Sequence, residues 1–351
     1  MTPSSRRVIQ VCPNDSPPFA DICRAYQIAL SSLGYCCDTV FIEMPSREPI
    51  EGAIYLGVDS RSMKLASDML ALELFGESVI YDLAVCHRYR SLQLLRKFSN
   101  QVRKSICIAH EFSMFRTFRR KIDYLLFFRE VIFSGVSESV GSDLRRTVAN
   151  AVVIPNAIDL DDLNRRLVPA TQAKQFFRLE SGAFNIGVVG RLHRKKQPLL
   201  AIQAFLKFVD LVPDARMTFV GDGELSESLR SMAESSGIRF SGFVDSVSSK
   251  ISAFDVILIT SGDQEAFNMV ALEAMAAGVR VIAGSSPGPT YVLGDSAIYF
   301  QEFTANSVSR ALLAAYRETE EIKNTEKMRG RRRASSYFSI SALTARLKDL
   351  F

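Results

Sequence analysis

Glu265 and Glu273 stand in an otherwise apolar stretch. They bracket Ala266-Phe267-Asn268-Met269-Val270-Ala271-Leu272, and Ala274-Met275-Ala276-Ala277-Gly278 follows at once. Carboxylates in such surroundings are costly unless something binds or neutralises them, so the pair points to recognition of a polar ligand. Two cations lie upstream. Arg191 follows the run Phe184-Asn185-Ile186-Gly187-Val188-Val189-Gly190 directly, and Lys196 comes five residues later. Cations at the mouth of a strand can hold a diphosphate and stabilise the negative charge that develops on a departing phosphate. Gly190, without a side chain, lets a ligand or a neighbouring backbone come close.

Placing these groups requires strands that end beside them. Asp255 to Thr260 reads as a buried strand, and Met269 to Ala277 as a helix built of good helix formers. Glu265 then lies on the loop leaving the strand's carboxyl end, and Glu273 about one and a half turns inside the helix. In an open parallel sheet this edge is where ligands bind, and the helix start offers the N–H groups of Phe267, Asn268 and Met269 to an anion. Met217 to Val220 is a further strand, closed by the glycine turn Gly221-Asp222-Gly223-Glu224; Ile238-Arg239-Phe240-Ser241-Gly242-Phe243-Val244 follows. In the N-terminal half, strands are expected at Arg7 to Cys12, Thr39 to Ile42, Ile54 to Val58, Val79 to Cys86 and Ile106 to Ala109. They are interleaved with helices at Ala20 to Leu33 and near Leu65 to Phe75. Strand and helix alternate throughout, which argues for doubly wound α/β sheets. With 351 residues, 47% of them hydrophobic, the chain can bury two cores of ordinary size.

Glu-x7-Glu followed by Ala-Met-Ala-x-Gly resembles the nucleotide-sugar signature of retaining glycosyltransferases with the GT-B fold, family 4 in particular. Gly190-Arg191-Leu192 with Lys196, the Gly221 turn, the Phe243 segment and Val152-Val153-Ile154-Pro155-Asn156-Ala157-Ile158-Asp159 fit that family in the expected order. The resemblance covers the second half well and the first half in parts. It implies two Rossmann-like doubly wound domains facing across a cleft: 1–163 on the acceptor side, a linker 164–182 that the polar segment around Pro169 suggests, 183–330 for the nucleotide sugar, and 331–351 as a helix returning to the first domain. It also implies roles. Arg191 and Lys196 hold the diphosphate, Glu265 bonds the sugar hydroxyls, Glu273 the ribose hydroxyls, and Gly190, Gly221, Phe243 and the N–H groups of Phe267 to Met269 line the donor. His110 is placed like the family histidine that faces the transferred sugar. Those with catalytic roles are His110, Glu265, Arg191 and Lys196; His87 and Asp15 are candidates on the acceptor side.

The implied reaction moves a sugar from a nucleotide-diphosphate sugar, UDP- or GDP-linked, to a hydroxyl with retention of configuration, through same-face attack and an oxocarbenium-like transition state. No permanently bound cofactor and no essential metal is implied. Departures from the family pattern sit at Ser285-Ser286-Pro287-Gly288-Pro289, where a Gly-Gly pair and a glutamate are usual and Gly288 alone remains, and at Pro13-Asn14-Asp15-Ser16-Pro17-Pro18, where a Gly-Gly pair is usual. Other readings are a catalytically silent GT-B subunit that binds a sugar nucleotide or a partner, and a sugar-nucleotide epimerase of GT-B fold. The missing Gly-x-Gly-x-x-Gly after the first strand argues against a dinucleotide dehydrogenase.

Six scattered cysteines and three histidines have no metal-ligand spacing, and the thiols read as buried and reduced. Asp159-Leu160-Asp161-Asp162 reads as a helix cap. Between Phe112 and Phe133, Phe115, Phe118, Tyr124, Phe127 and Phe128 are interleaved with Arg116, Arg119, Arg120, Lys121 and Arg129, a pattern suited both to an anionic bilayer surface and to an ordinary crossover helix. Arg88, Arg90, Arg96, Lys97, Arg103 and Lys104 add charge to the same half, and Arg329 to Arg333 form another basic run. The net charge is only +5, and no nucleic-acid-binding motif accompanies these patches. No run approaches the roughly 20 apolar residues of a membrane span, and the start Met1 to Arg7 has no signal-peptide core. The expected setting is the cytoplasm, on the inner face of a membrane where the acceptor is a glycolipid or a growing cell-surface glycan of lipopolysaccharide or exopolysaccharide type.

Overall fold

Val8–Cys12 and Leu83–His87 are buried without interruption, as strands covered on both faces must be. In the computed structural model, which describes residues 6–59, 61–75, 79–233 and 236–350, the chain divides into two compact units, Met1–Ile158 with Ile340–Phe351, and Asp159–Ser339. Met1 to Ser5, part of the stretch read for a signal-peptide core, lie outside the described residues.

The first unit holds seven strands: β1 (Arg6–Cys12), β2 (Tyr35–Phe41), β3 (Ala53–Tyr55), β4 (Tyr81–His87), β5 (Val102–Ala109), β6 (Ile132–Gly135) and β7 (Val152–Val153). They pair in the order β3-β2-β1-β4-β5-β6-β7, all parallel. The helices α1 (Phe19–Ser32), α2 (Met63–Glu73), α3 (Arg88–Leu95), α4 (Phe118–Phe127) and α5 (Glu138–Arg145) connect them. Ile9, Val11, Tyr26, Phe41, Ile106 and Phe133 are fully or almost fully buried in this unit. Chain order reverses between β1 and β4, so the loops after those strands open onto the switch point of the sheet.

The second unit repeats the plan. α6 (Leu160–Arg166) and α7 (Ala170–Phe177) come first, followed by β8 (Phe184–Val189), α8 (Pro198–Val209), β9 (Ala215–Val220), α9 (Ser226–Met232), β10 (Ile238–Phe240), β11 (Val256–Ile259), α10 (Met269–Ala277), β12 (Arg280–Gly284), α11 (Pro287–Leu293), β13 (Ile298–Phe300), α12 (Ala305–Arg317) and α13 (Glu320–Phe338). The six parallel strands run β10-β9-β8-β11-β12-β13, and the order reverses between β8 and β11. Phe205, Phe208, Phe219, Ile282 and Leu312 form the centre of its core. The last helix, α14 (Ile340–Lys348), belongs to the first unit, where Ser32 at the end of α1 meets Thr344.

Several segments differ from the sequence reading. The stretch expected as a linker, 164–182, holds the end of α6 and the whole of α7, because Asp159 caps the first by accepting from the Asp162 N–H at 2.9 Å and Pro169 precedes the second. The short strands β6 and β7 and the helix α5 lie in a region for which no elements were assigned. Cys36 is exposed, unlike the buried Cys12, Cys23, Cys86 and Cys107.

Candidate functional site

In the second unit the chemistry gathers at the carboxyl ends of β8 and β11, the two strands that flank the switch point. Lys196 comes from the loop after β8 and Glu265 from the loop after β11; Lys196 Nζ donates to Glu265 Oε2 as an ion pair across 69 positions of sequence. The sequence named both residues, and the fold brings them into contact. Each side chain is part-buried, with 36% exposure for Lys196 and 18% for Glu265, so a ligand can still reach them. Lys196 has three N–H donors, and one bond to Glu265 leaves the others for a phosphate. Arg191 is exposed on the same loop.

Three contacts that sequence reasoning missed hold these loops. Thr260 Oγ1 donates to the Lys196 carbonyl at 2.7 Å, Ser286 Oγ donates to the Ser261 carbonyl at 3.0 Å, and Gln197, at φ +48°, packs against Gly262. Gly221 carries the clearest demand for glycine. It has φ +138°, and a Cβ there would stand 2.1 Å from the Gly190 carbonyl oxygen. The two glycine turns after β8 and β9 are thus pressed together, with Leu192 N–H donating to the Asp222 carbonyl at 2.9 Å and Gly221 N–H to Gly242 at 2.8 Å. Phe243, next along, is 56% exposed.

The start of α10 is built by Asn268. Its backbone is left-handed (φ +80°), and Oδ1 accepts from the Ala271 N–H at 2.9 Å, so its side chain serves as the helix cap. Phe267 is buried against Tyr291 and Phe338, with ring centroids 6.3 and 5.6 Å away, which leaves its backbone rather than its ring for a ligand. Met269 and Glu273 are half-buried. Apart from these, α10 is apolar on nearly every side, the composition of a helix enclosed by its neighbours. Gly288 does not present a bare turn to a ligand: it lets the first turn of α11 lie on the backbone of Glu265–Phe267, where a Cβ would meet the Glu265 carbonyl oxygen at 2.3 Å.

The first unit holds the remaining candidates. His110, just past β5, lines a cavity of about 320 Å³ together with Pro13, Asn14, Glu43, Arg88 and Glu111. Its imidazole is held well below the usual histidine range, first by burial and then by His87 and Arg88. His87, at the end of β4, is fully buried and meets His110 at 3.1 Å, so it stands behind His110 and does not reach an acceptor itself. Asp15 is 5% exposed and accepts from the Ser46 N–H and the Tyr55 hydroxyl, both at 2.9 Å. Burial pushes this carboxyl up, and those hydrogen bonds more than offset it, so it lies below the usual range. These two bonds tie Asp15 to Ser46 and Tyr55 and so brace the loop.

The basic and aromatic stretch divides. Phe115, Phe128 and Phe133 turn inward, whereas Phe118, Leu125, Leu126 and Phe127 of α4 are 77%, 50%, 66% and 48% exposed beside exposed Arg119 and Lys121. No residue of α4 is buried. The run at Arg329 to Arg333 has local employment: Arg331 donates to the Ala277 carbonyl at 2.8 Å and Arg333 to those of Val292 and Tyr291 at 2.7 Å, at the carboxyl ends of α10 and α11. Among the described residues no helix is long and apolar enough to cross a membrane.

Comparison with known proteins places this geometry. Residues 183–318 match the family described as Glycosyl transferases group 1. Over 212 residues, 57% of this chain and 53% of the relative, the sequence is 24% identical to the Escherichia coli UDP-Gal:alpha-D-GlcNAc-diphosphoundecaprenol alpha-1,3-galactosyltransferase. Over 166 residues it is 30% identical to the phosphatidyl-myo-inositol mannosyltransferase of Mycobacterium tuberculosis, covering 46% of this chain and 40% of that one. The chain thus spans about half the length, or less, of the curated relatives it matches. Anabaena HepE in complex with UDP-glucose superimposes with a TM-score of 0.77 over 98% of each chain at 15% identity, a likeness of fold. Within the second unit, residues 183–318 carry the match to the group 1 glycosyl transferases, and the two Rossmann-like sheets give the chain the GT-B fold.

Proposed function

We propose that this protein is a retaining, metal-independent glycosyltransferase that moves a sugar from a nucleotide-diphosphate sugar to a hydroxyl of a lipid-linked or polysaccharide acceptor. The observation that carries the proposal is the Lys196–Glu265 pair at the switch point of the second unit, inside the matched family stretch. Lys196 and Arg191 neutralise the diphosphate and the charge that grows on it as the glycosidic bond breaks. Glu265 accepts from sugar hydroxyls, Glu273 from the ribose, and the N–H groups at the start of α10 meet the diphosphate or the sugar. With no carboxylate assigned as nucleophile, attack proceeds on the face the diphosphate leaves, and a phosphate oxygen takes the acceptor's proton. Catalysis then rests on positioning and charge stabilisation.

A uridine donor is supported by the E. coli relative, named for UDP-Gal, and by Anabaena HepE with UDP-glucose; GDP-sugars remain the second class to test. The two curated relatives are named for a diphosphoundecaprenol-linked and a phosphatidylinositol acceptor, which favours a phosphate-bearing lipid acceptor here. The exposed face of α4, with Phe118, Leu126, Arg119 and Lys121, fits the headgroup boundary of an anionic membrane, and the proposed place of action is its cytoplasmic side. Domain roles follow: the first unit serves the acceptor and the second the donor.

Thermal stabilisation by a panel of UDP-, GDP-, ADP-, CMP- and dTDP-sugars, together with slow donor hydrolysis without acceptor, tests the reading. One donor class should stabilise the protein by a few kcal/mol at saturation. A folded protein that responds to none of them rejects donor binding by the isolated chain.

A further inference from the structure

Behind His110 lies a hydrogen-bonded chain whose direction is fixed by a backbone carbonyl. Gln10, in the middle of β1, is fully buried. Its Nε2 donates to the Cys23 carbonyl at 3.0 Å and to Thr39 Oγ1 at 3.1 Å. A carbonyl can only accept, so the amide orientation is settled and Oε1 is the atom that faces His87 Nε2 at 3.1 Å. An amide oxygen only accepts, so His87 Nε2 carries the hydrogen. A neutral imidazole has a single N–H, and His87 Nδ1 is therefore a lone pair. That lone pair meets His110 Nε2 at 3.1 Å, which must then be the donor.

We propose that Gln10 and His87 are positioning residues that lock His110 as the Nε2–H tautomer and leave Nδ1 as a hydrogen-bond acceptor for a saccharide hydroxyl in the first unit's cavity. The hydroxyl part of this inference rests on the proposed function; the tautomer part does not. Both rings are held neutral by their surroundings. Burial brings His87 down to about 3, with Arg88 adding to the effect, and His110 is lowered in the same direction. The groups facing the pair are Phe19 and Tyr26 of α1, at 5.1 and 5.0 Å between ring centroids, Arg88, and Glu111, which is paired with Arg88 at 3.1 Å; Glu43 lines the same cavity and accepts from Asn14 Nδ2 at 3.2 Å. Among the described residues neither carboxylate is hydrogen-bonded to an imidazole of the pair. A histidine of this kind is a poor general base at neutral pH, since proton transfer is most effective when the pKa lies near the working pH. His110 instead orients a hydroxyl donor and turns away ligand oxygens that carry no hydrogen, such as an ether or an ionised phosphate.

The chain has only three histidines, which makes a direct test practical. The full-length protein, labelled with 15N in the imidazole rings, is examined by long-range proton–nitrogen correlation, with His193→Gln identifying the third ring. His87 and His110 should both show a protonated Nε2 and an unprotonated Nδ1, unchanged between pH 8 and 5. A protonated Nδ1 or an imidazolium on His110 at neutral pH overturns the proposal, and this reading needs no variant to fold. In activity, His87→Asn keeps an amide oxygen in place of the Nδ1 lone pair and should retain turnover within about 3-fold. His87→Leu should lower kcat about 10- to 100-fold at unchanged donor KM, with the His110 tautomer no longer single. If His87→Leu lowers Tm but leaves kcat and the His110 spectrum as they were, the positioning role is lost. Absence of sugar transfer by the unmodified protein, with the expected tautomers present, would instead reject the functional reading alone.

Discussion

Gly288→Ala is the smallest change that should disturb the proposed donor side, and it does so without touching a charged group. An alanine Cβ at this position would stand 2.3 Å from the Glu265 carbonyl oxygen, 2.8 Å from the Phe267 nitrogen and 2.9 Å from the Ala266 carbonyl carbon, against 3.4–4 Å for an ordinary contact. All three neighbours are backbone, so no flexible side chain can swing aside. The tip of α11 or the loop 265–267 must move by about 1 Å, and overpacking of this kind costs about 1–3 kcal/mol. For a unit of this size that lowers Tm by roughly 2–4 °C per kcal/mol. The larger effect should fall on the chemistry. The displaced loop carries Glu265, hence the contact with Lys196, and a 1 Å misplacement of a positioning group can reduce rate by about 10²-fold. The assays are thermal unfolding with and without the stabilising nucleotide sugar, and steady-state kinetics with that donor. Gly182→Ala, where nothing lies within 4 Å, is the control and should behave as wild type. A Gly288→Ala protein with wild-type Tm, donor affinity and kcat would show that α11 does not lie on this loop, and would remove the basis for placing Glu265.

Other outcomes follow from the same geometry. Glu273→Ala should raise donor KM about 10- to 100-fold with kcat little changed, because it removes binding common to ground and transition states; unchanged affinity by titration would reject its ribose role. Chelation with EDTA should leave transfer unaffected, and loss of activity restored by magnesium would reject the metal-independent mechanism. Acid stability should reflect His87, which has a folded pKa of about 3 against an ordinary value of 6.5. Between those values the unfolded chain binds more protons, so stability is full above about pH 6.5 and falls as pH drops towards 3, by about 1.4 kcal/mol per pH unit. His87→Asn should flatten that part of an unfolding series, and an unchanged slope would reject the buried neutral histidine. Charge reversal at Arg119 and Lys121 should reduce flotation with anionic vesicles, whereas Arg331→Ala should lower Tm and leave flotation intact. Equal loss of flotation in both would mean that net charge, not the α4 face, sets any membrane contact.

The extent to which these features could be read from sequence varied with the range of the interaction. The boundaries of α10 were legible to the residue, since Asn268, the run of good helix formers and Gly278 are all local signals. Both ends of the Lys196–Glu265 pair were legible as residue types at strand ends, although only the sheet order brings 69 intervening positions together. The helices α6 and α7 were hidden, because a polar composition does not separate a linker from short capped helices packed on a neighbour. Asp15 and His87 illustrate a different gap between sequence and structure. Each was picked for its chemistry, yet the Ser46 N–H, the Tyr55 hydroxyl and Gln10 that engage them come from parts of the chain distant in sequence. Gln10 offered no signal at all, being one polar residue inside an apolar strand.

Arginine usage shows why composition alone misplaces function in this chain. Arg329 to Arg333 is a basic run in sequence, and although Arg329, Arg331 and Arg332 are exposed, Arg331 and Arg333 each lie along α13 with a guanidinium on the carbonyls that end α10 and α11. The loop and the two helices around Glu265 are therefore tied from both directions. Gly288 seats the start of α11 on the Glu265 loop, and Arg333 holds its end. Asn268 caps the start of α10, and Arg331 holds its end. Two short helices that would be marginal alone gain fixed ends, and a loop between a strand and a helix gains the rigidity that charge placement requires. The basic run thus acts on the Glu265 loop through the helices it secures, while Lys196 and Arg191, the cations proposed to meet the diphosphate, sit on a loop whose own shape depends on glycine contacts at Gly190 and Gly221.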